Sequence, residues 1–231
     1  MSFLKVWKAP EGAVGRDDFE VCVRNPGENW EPLFVYEAKV DMHHVRQASM
    51  AYFDMEGTVE VRVESRKGPV HQIVIRPLSK QIPFDVDGAT VTFRLNEPCK
   101  LSIEVNGDRF GNLHLFANAR EENPPAPDAP NVLYLKPAIH RMEDIYQLVN
   151  SPREPGGAAP EVIYFGPGMH YLEETIFRIP SRKTVYLAGG AIVVGSLMCR
   201  MSPSAAEGSC ICPTFTGFPL SGASGSFIRA I

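Results

Sequence analysis

The run from Glu161 to Ser196, EVIYFGPGMHYLEETIFRIPSRKTVYLAGGAIVVGS, limits the choice of fold more than any other part of the chain. Three short β-branched and aromatic runs recur in it: Val162 to Phe165, Thr184 to Leu187 and Ala191 to Val194. Gly166, Gly168, Gly189, Gly190 and Gly195 punctuate them. Short strands separated by glycine corners are what a right-handed parallel β-helix needs, because glycine reaches backbone angles that cost other residues energy. Such a fold is a stack. About three coils are needed before a continuous core exists, so this run reads as the opening coils.

The region before it has a different rhythm. In TVEVRVES, Val59, Val61 and Val63 face one way and Glu60, Arg62 and Glu64 the other, the period of a strand with one buried face. Val91, Phe93 and Leu95 repeat the pattern, as do Leu101, Ile103 and Val105. Further strands are predicted at Phe19–Val23, Leu33–Val40, Met50–Met55, Val70–Arg76 and Leu113–Phe116. Turn residues separate them at Asn25-Pro26-Gly27, Glu56-Gly57, Lys67-Gly68-Pro69, Asp87-Gly88 and Asn106-Gly107-Asp108. About eight strands at roughly ten-residue spacing predict an antiparallel β-sandwich, with tight hairpins at Asp87-Gly88 and Asn106-Gly107.

Four segments follow from this: a sandwich over residues 1–120, a Pro-rich linker with a short helix over 121–160, the start of a β-helix over 161–198, and an irregular or disordered tail over 199–231. The linker opens on the stiff acidic stretch EENPPAPDAP. Its helix is predicted over Arg141 to Val149, with Met142, Ile145, Leu148 and Val149 on one side. VLYLKPAIH and VIYFGPGMH look alike, which suggests either one coil following another or two entries into similar corners.

Composition excludes several function classes. Hydrophobic residues make up 44% of the 231 and charged residues 22%, with a formal net charge of −4. That balance offers no basic surface for nucleic acid or an anionic membrane. No segment has the length of a transmembrane helix. The N-terminus lacks an apolar signal-peptide core, so a cytoplasmic protein is expected. Cys22 and Cys99 lie far apart in strand-like runs and are expected as buried free thiols, which suits a reducing compartment. Cys210 and Cys212 lack the second ligand pair of a zinc site, so metal is not expected there; no organic cofactor is expected.

Several runs carry a resemblance: ASMAYFDMEGTVEVRV (Ala48–Val63), VIRPLS (Val74–Ser79), PCKLSIEVNGDRFGNLHLFAN (Pro98–Asn118) and YFGPGMHYLEETIFRIPSRKTVYLAGGAIVVGS (Tyr164–Ser196). Together they resemble the N-terminal part of bacterial pectin-lyase-like glycoside hydrolases of the polygalacturonase-like kind, with the dextranase/isopullulanase-like family as a near relative. The resemblance implies a β-sandwich ahead of a right-handed β-helix. It also implies hydrolysis of glycosidic bonds in pectin-derived or related oligosaccharides by paired carboxylates. The polygalacturonase-like family places its acids in Asn-Thr-Asp, Asp-Asp, Gly-His and Arg-Ile-Lys motifs. None of these occurs in the β-helix portion of this chain, and Asp17-Asp18 lies outside the matched region. The catalytic residues are therefore unknown, and the chain reads as a non-catalytic front end.

The tail breaks the pattern after about Ser196, being rich in Ser, Gly and Pro. A shifted reading frame across Arg200 to Thr216 restores a coil-like composition, so truncation or a frameshift is expected, with a natural irregular terminus as the alternative. An open stack end then predicts self-association. A non-enzymatic carbohydrate-binding or structural protein is the second reading, and a calcium-dependent lyase the third.

Individual polar residues carry weaker expectations. Asp41 with His43 and His44 is read as a solvated strand end, since adjacent strand residues point to opposite faces. Asp54 and Glu56 are expected as an acid pair at a hairpin end. Asn106, Asp108 and Arg109 are read as turn residues, and His140 and His170 as corner caps. Trp7 and Trp30 are the only tryptophans available for sugar stacking, while Tyr36, Tyr52 and Phe53 are expected in the core. The sandwich is expected to cover the first coil.

Overall fold

The computed structural model describes residues 2–40, 46–152, 157–198 and 228–230, with residues 40, 175 and 228–230 described by backbone alone. The chain is mostly β and forms two compact units, Met1–Lys8 with Ala13–Glu122, and Ala9–Gly12 with Asn123–Ile231.

The first unit contains β1 (Phe3–Val6), β2 (Phe19–Arg24), β3 (Glu31–Leu33), β4 (Tyr36–Val40), β5 (Arg46–Glu56), β6 (Val59–Ser65), β7 (Ile73–Arg76), β8 (Phe84–Asp87), β9 (Thr90–Leu95), β10 (Cys99–Val105) and β11 (Asp108–Ala119). One sheet runs β3-β2-β6-β9-β8; the other runs β1-β5-β11-β10-β7 with β4 added on β5. Their inward side chains form one core. Val21, Val61 and Phe93 come from the first sheet and Phe53, Leu101, Ile103 and Leu115 from the second. Each such large apolar side chain stabilises by about 1.5–3 kcal/mol on burial.

Alternation placed these strands correctly. In β6, Val59, Val61 and Val63 are buried, as are Val91, Phe93 and Leu95 in β9. Pairing direction differs from expectation at one ladder: β5 and β11 run parallel, Leu113 opposite Ser49 through Ala119 opposite Met55. A period of two reports faces, not direction, and this pair is joined by a long excursion through the other sheet. The predicted strand Leu33–Val40 is two strands, β3 and β4, in different sheets. β5 and β11 are longer than their predicted cores and β7 is shorter. Asn106-Gly107 is a two-residue hairpin loop between Val105 and Asp108, with φ of 52° and 76°. Two left-handed residues in succession are what Asn-Gly supplies at least cost.

The second unit contains β12 (Val132–Leu135), β13 (Ile139–His140), α1 (Met142–Asn150), β14 (Val162–Phe165), β15 (Gly168–Arg178), β16 (Thr184–Leu187), β17 (Ala191–Met198) and β18 (Ile228–Ala230). β12, β14 and β16 stack in parallel without slippage: Val132, Val162 and Thr184 align, as do Leu135, Phe165 and Leu187. β13, β15 and β17 form a second parallel ladder. The two look-alike runs are thus successive layers. Within the predicted tail, Ile228–Ala230 lies antiparallel on β17; Cys199, Cys210 and Cys212 lie outside the described residues.

Leu133, Ile163 and Val185 fill the column, together with Phe165, Phe177, Val193 and Leu197. Helix α1 adds Met142, Ile145 and Val149 to the same core. Glu143 and Asp144 occupy its first turn, where carboxylates favour the helix dipole. Leu148 was expected inward and is instead 52% exposed. Tyr146 packs on Phe177 at 5.6 Å, and its hydroxyl donates to Arg178 O (2.9 Å) while accepting from Arg178 N–H (3.1 Å). The helix stands where another strand would otherwise pair.

Candidate functional site

The first unit carries a cleft of about 550 Å³ lined by Gly15, Arg16, Asp17, Phe19, Glu20, Leu33, Phe34, Val35 and Arg66. Its walls form where the chain crosses from one sheet to the other, between the end of β3 at Leu33 and the start of β4 at Tyr36. Leu33 and Val35 enter the core, which leaves Phe34 turned outward and 36% exposed. The backbone of Val14–Arg16 is tied beside it: Arg16 N–H donates to Val35 O at 2.9 Å and Glu37 N–H to Val14 O at 3.0 Å. A Cβ at Gly15 would stand 3.1 Å from Phe34 Cζ, so the ring rests on bare backbone there. The Tyr36 ring packs against it with centres 4.6 Å apart and planes 65° from parallel.

Ion pairs organise the cleft rim. Arg16 donates from Nε to Asp18 Oδ2 at 2.7 Å and from Nη1 to Gln47 Oε1 at 2.9 Å. Lys67 also reaches Asp18, at 3.2 Å. Arg66 pairs with Glu20 and, at 3.3 Å, with Glu64. Among the described residues, none engages the Asp17 carboxylate. The result is one exposed aromatic face beside carboxylate acceptors, on an apolar floor of Phe19, Leu33 and Val35.

A second groove of about 500 Å³ lies in the second unit, lined by Tyr146, Asn150, Arg178, Ile179, Pro180, Ser181 and Met198. Its polar groups are largely occupied: Tyr146 binds the Arg178 backbone, and Arg178 Nη1 lies 3.3 Å from Met198 Sδ.

His140 and His170, predicted as separate corner caps, meet. His170 is fully buried, and its Nε2 lies 2.7 Å from Gly166 O. A carbonyl only accepts, so Nε2 carries the proton and Nδ1 is the acceptor for His140 Nε2–H at 2.8 Å. The rings lie 14° from parallel, and the edge of Phe165 faces both. Burial lowers both pKa values, and the His170 neighbour lowers that of His140 further. This pair is held neutral inside a corner of the stack, and among the described residues no carboxylate bonds to either ring.

The remaining polar residues have structural partners. Asp54 accepts from Trp7 Nε1–H at 2.8 Å and Asn118 Nδ2–H at 3.5 Å, and burial raises its pKa against these bonds. Glu56 pairs with Arg120 at 3.4 Å. The chain does not form a hairpin after them, because β5 and β6 belong to different sheets. Asn106 Oδ1 accepts from His71 N–H (2.8 Å) and Gln72 N–H (3.1 Å), while Nδ2 donates to Pro69 O (2.8 Å). Asp108 accepts from Gly111 N–H (2.7 Å) and Phe110 N–H (3.2 Å), which holds its carboxyl below the ordinary value. Arg109 is exposed in the same turn. Lys5 lies 3.9 Å from the Trp7 ring centre, and Trp30 has Arg24 at 4.3 Å and Arg62 at 4.9 Å. Tyr36 and Phe53 are buried, while Tyr52 is half-buried and stacks on Tyr36 at 5.8 Å. Asp41, His43 and His44 lie outside the described residues.

Among the described residues, no group of three or more His, Cys, Asp or Glu side chains is placed to hold a metal ion. No described helix is long and apolar enough to cross a membrane.

No family model and no curated protein matches the chain. Among solved structures, Dex49A from Penicillium minioluteum, a dextranase of the pectin-lyase-like β-helix type, is similar with a TM-score of 0.61 and 17% sequence identity. The match covers 83% of this chain and 44% of that one. The chain spans less than half the length of that structure, and the likeness is one of fold.

Proposed function

We propose that this chain is the N-terminal part of a carbohydrate-active protein of glycoside-hydrolase type, a β-sandwich followed by the first coils of a right-handed parallel β-helix. The observation that carries the reading is the unslipped parallel stacking of β12, β14 and β16 beside the β13, β15 and β17 ladder. The fold likeness to a dextranase supports it. The intact parent hydrolyses glycosidic bonds in pectin-derived or related oligosaccharides, with acids supplied by coils beyond those described. This chain's share is scaffold and ligand contact, the latter at the cleft around Phe34.

The reading extends to location and partners. Cys22 and Cys99 are free and buried, which favours a reducing compartment. β16 ends its sheet, and self-association runs through that edge.

Two assays on the purified chain test the reading. On a glycan array carrying neutral and uronic oligomers, it is expected to retain at least one class. In a reducing-end assay on the matching polymers, it is expected to release nothing above background. Retention of no glycan overturns the carbohydrate reading, and clear turnover overturns the view that the working acids lie elsewhere.

A further inference from the structure

The charge arrangement around the Phe34 cleft separates two classes of sugar. A uronate carries a carboxylate and is best held by a free guanidinium fork. Both guanidinium groups at this rim already face carboxylates. Arg16 spends Nε and Nη2 on Asp18 and Nη1 on Gln47, and Arg66 spends its two terminal nitrogens on Glu20 and Glu64. The remaining carboxylate, Asp17, lines the cleft and would repel another anion. A neutral hexose meets the opposite situation. Its vicinal hydroxyls are donors for Asp17 and Glu20, and its C–H face covers the exposed ring of Phe34. That ring is held by Gly15 at its Cζ–Cε2 side and by the neighbouring ring of Tyr36. The volume, about 550 Å³, falls within the roughly 300–1,000 Å³ usual for small-ligand sites.

We propose that this cleft binds a neutral hexose unit of an oligosaccharide, stacked on Phe34 with its hydroxyls on Asp17 and Glu20, and discriminates against uronic acids. The proposal rests on the carbohydrate reading above and narrows its ligand class. It assigns this cleft to the neutral rather than the acidic units of such oligosaccharides.

The test is titration of the full chain with maltotriose, isomaltotriose, cellotriose and trigalacturonate, followed by calorimetry and by protein-observed NMR. Saturable binding of at least one neutral trisaccharide is expected, with trigalacturonate weaker by about tenfold or more. Phe34→Leu keeps an apolar side chain but removes the flat face, and it is expected to weaken neutral binding about tenfold, the scale of losing a central aromatic anchor. Asp17→Asn is expected to weaken it severalfold and to narrow the gap to trigalacturonate. An unchanged melting temperature in both variants assigns the loss to the site. Trigalacturonate binding as tightly as the neutral sugars overturns the proposal. So does neutral binding that ignores both substitutions, although the carbohydrate reading then stands. Failure of all four trisaccharides overturns the cleft alone, because the array of longer glycans judges the wider reading separately.

Discussion

In the first unit the buried side chains come from two sheets that face each other; in the second they come from successive layers of one column. Phe53 shares one core with side chains from strands far apart in sequence, including β6, β9 and β10. Phe165 sits between the layer before it, through Leu135, and the layer after it, through Leu187. A face-to-face core closes on itself, so a defect anywhere loosens the whole. A column is held by nearest neighbours, so a defect weakens the layers beside it first. The difference teaches that the units should lose structure independently and respond differently to equivalent substitutions.

The largest expected effect comes from deleting the equivalent buried rings. Phe53→Ala and Phe165→Ala each remove a fully buried side chain and should cost about 3–5 kcal/mol. In hydrogen exchange, Phe53→Ala should accelerate β5, β6, β9 and β10 together. Phe165→Ala should accelerate β12, β14 and β16 and leave the first unit protected. Uniform acceleration of the entire chain by either variant would break the comparison.

Next in size is the hairpin that joins β10 to β11. Asn106→Ala removes three hydrogen bonds and places alanine at φ 52°, a combined loss of about 2–3 kcal/mol. Asn106→Gly, which keeps the backbone freedom and loses only the bonds, should recover part of it. Chemical denaturation of both variants separates the two contributions.

A smaller effect, confined to the second unit, follows from the neutral histidine pair. Both folded pKa values lie below the ordinary 6.5, so the unfolded chain binds protons more readily in the window beneath that value. Stability from this source is complete above about pH 6.5 and is lost as the pH falls through the folded values. Protection factors of Gly166 to Leu172, taken relative to intrinsic exchange at each pH, should therefore fall on acidification to pH 5. His170→Gln should flatten the dependence, since it does not titrate. An equal acid response in β6 and β9 would remove the assignment.

The smallest effect tests the face of α1. Leu148→Ser changes an exposed position and should shift the melting temperature by an amount worth less than about 0.5 kcal/mol. Ile145→Ser, on the buried side, should cost several times more. Similar losses for both would mean that Leu148 is covered after all.

Much of the architecture could be read from residue order, for identifiable reasons. Val59, Val61 and Val63 alternate because one face is buried, and Asn106-Gly107 stands where two positive φ angles are required. The likeness of VLYLKPAIH and VIYFGPGMH reflects two layers in register. Other features follow from tertiary closure and leave no local trace. The parallel pairing of β5 with β11 is one. The meeting of His140 with His170 is another, because the β13–β15 ladder places His140 opposite Leu172 rather than opposite its repeat partner. The Phe34 cleft leaves only a weak local signal: Leu33 to Tyr36 are four consecutive apolar residues, and the chain changes sheets within them. Which segment would flank it, Val14 to Asp17, was decided by pairing across the unit.

The Tyr146 hydroxyl gives the second unit a polarity. It occupies both the amide and the carbonyl of Arg178, the groups through which a newcomer would have to attach. A strand added beside Arg178, by evolution or by engineering, would first have to displace the Tyr146 ring, so that stretch of β15 is shut to accretion.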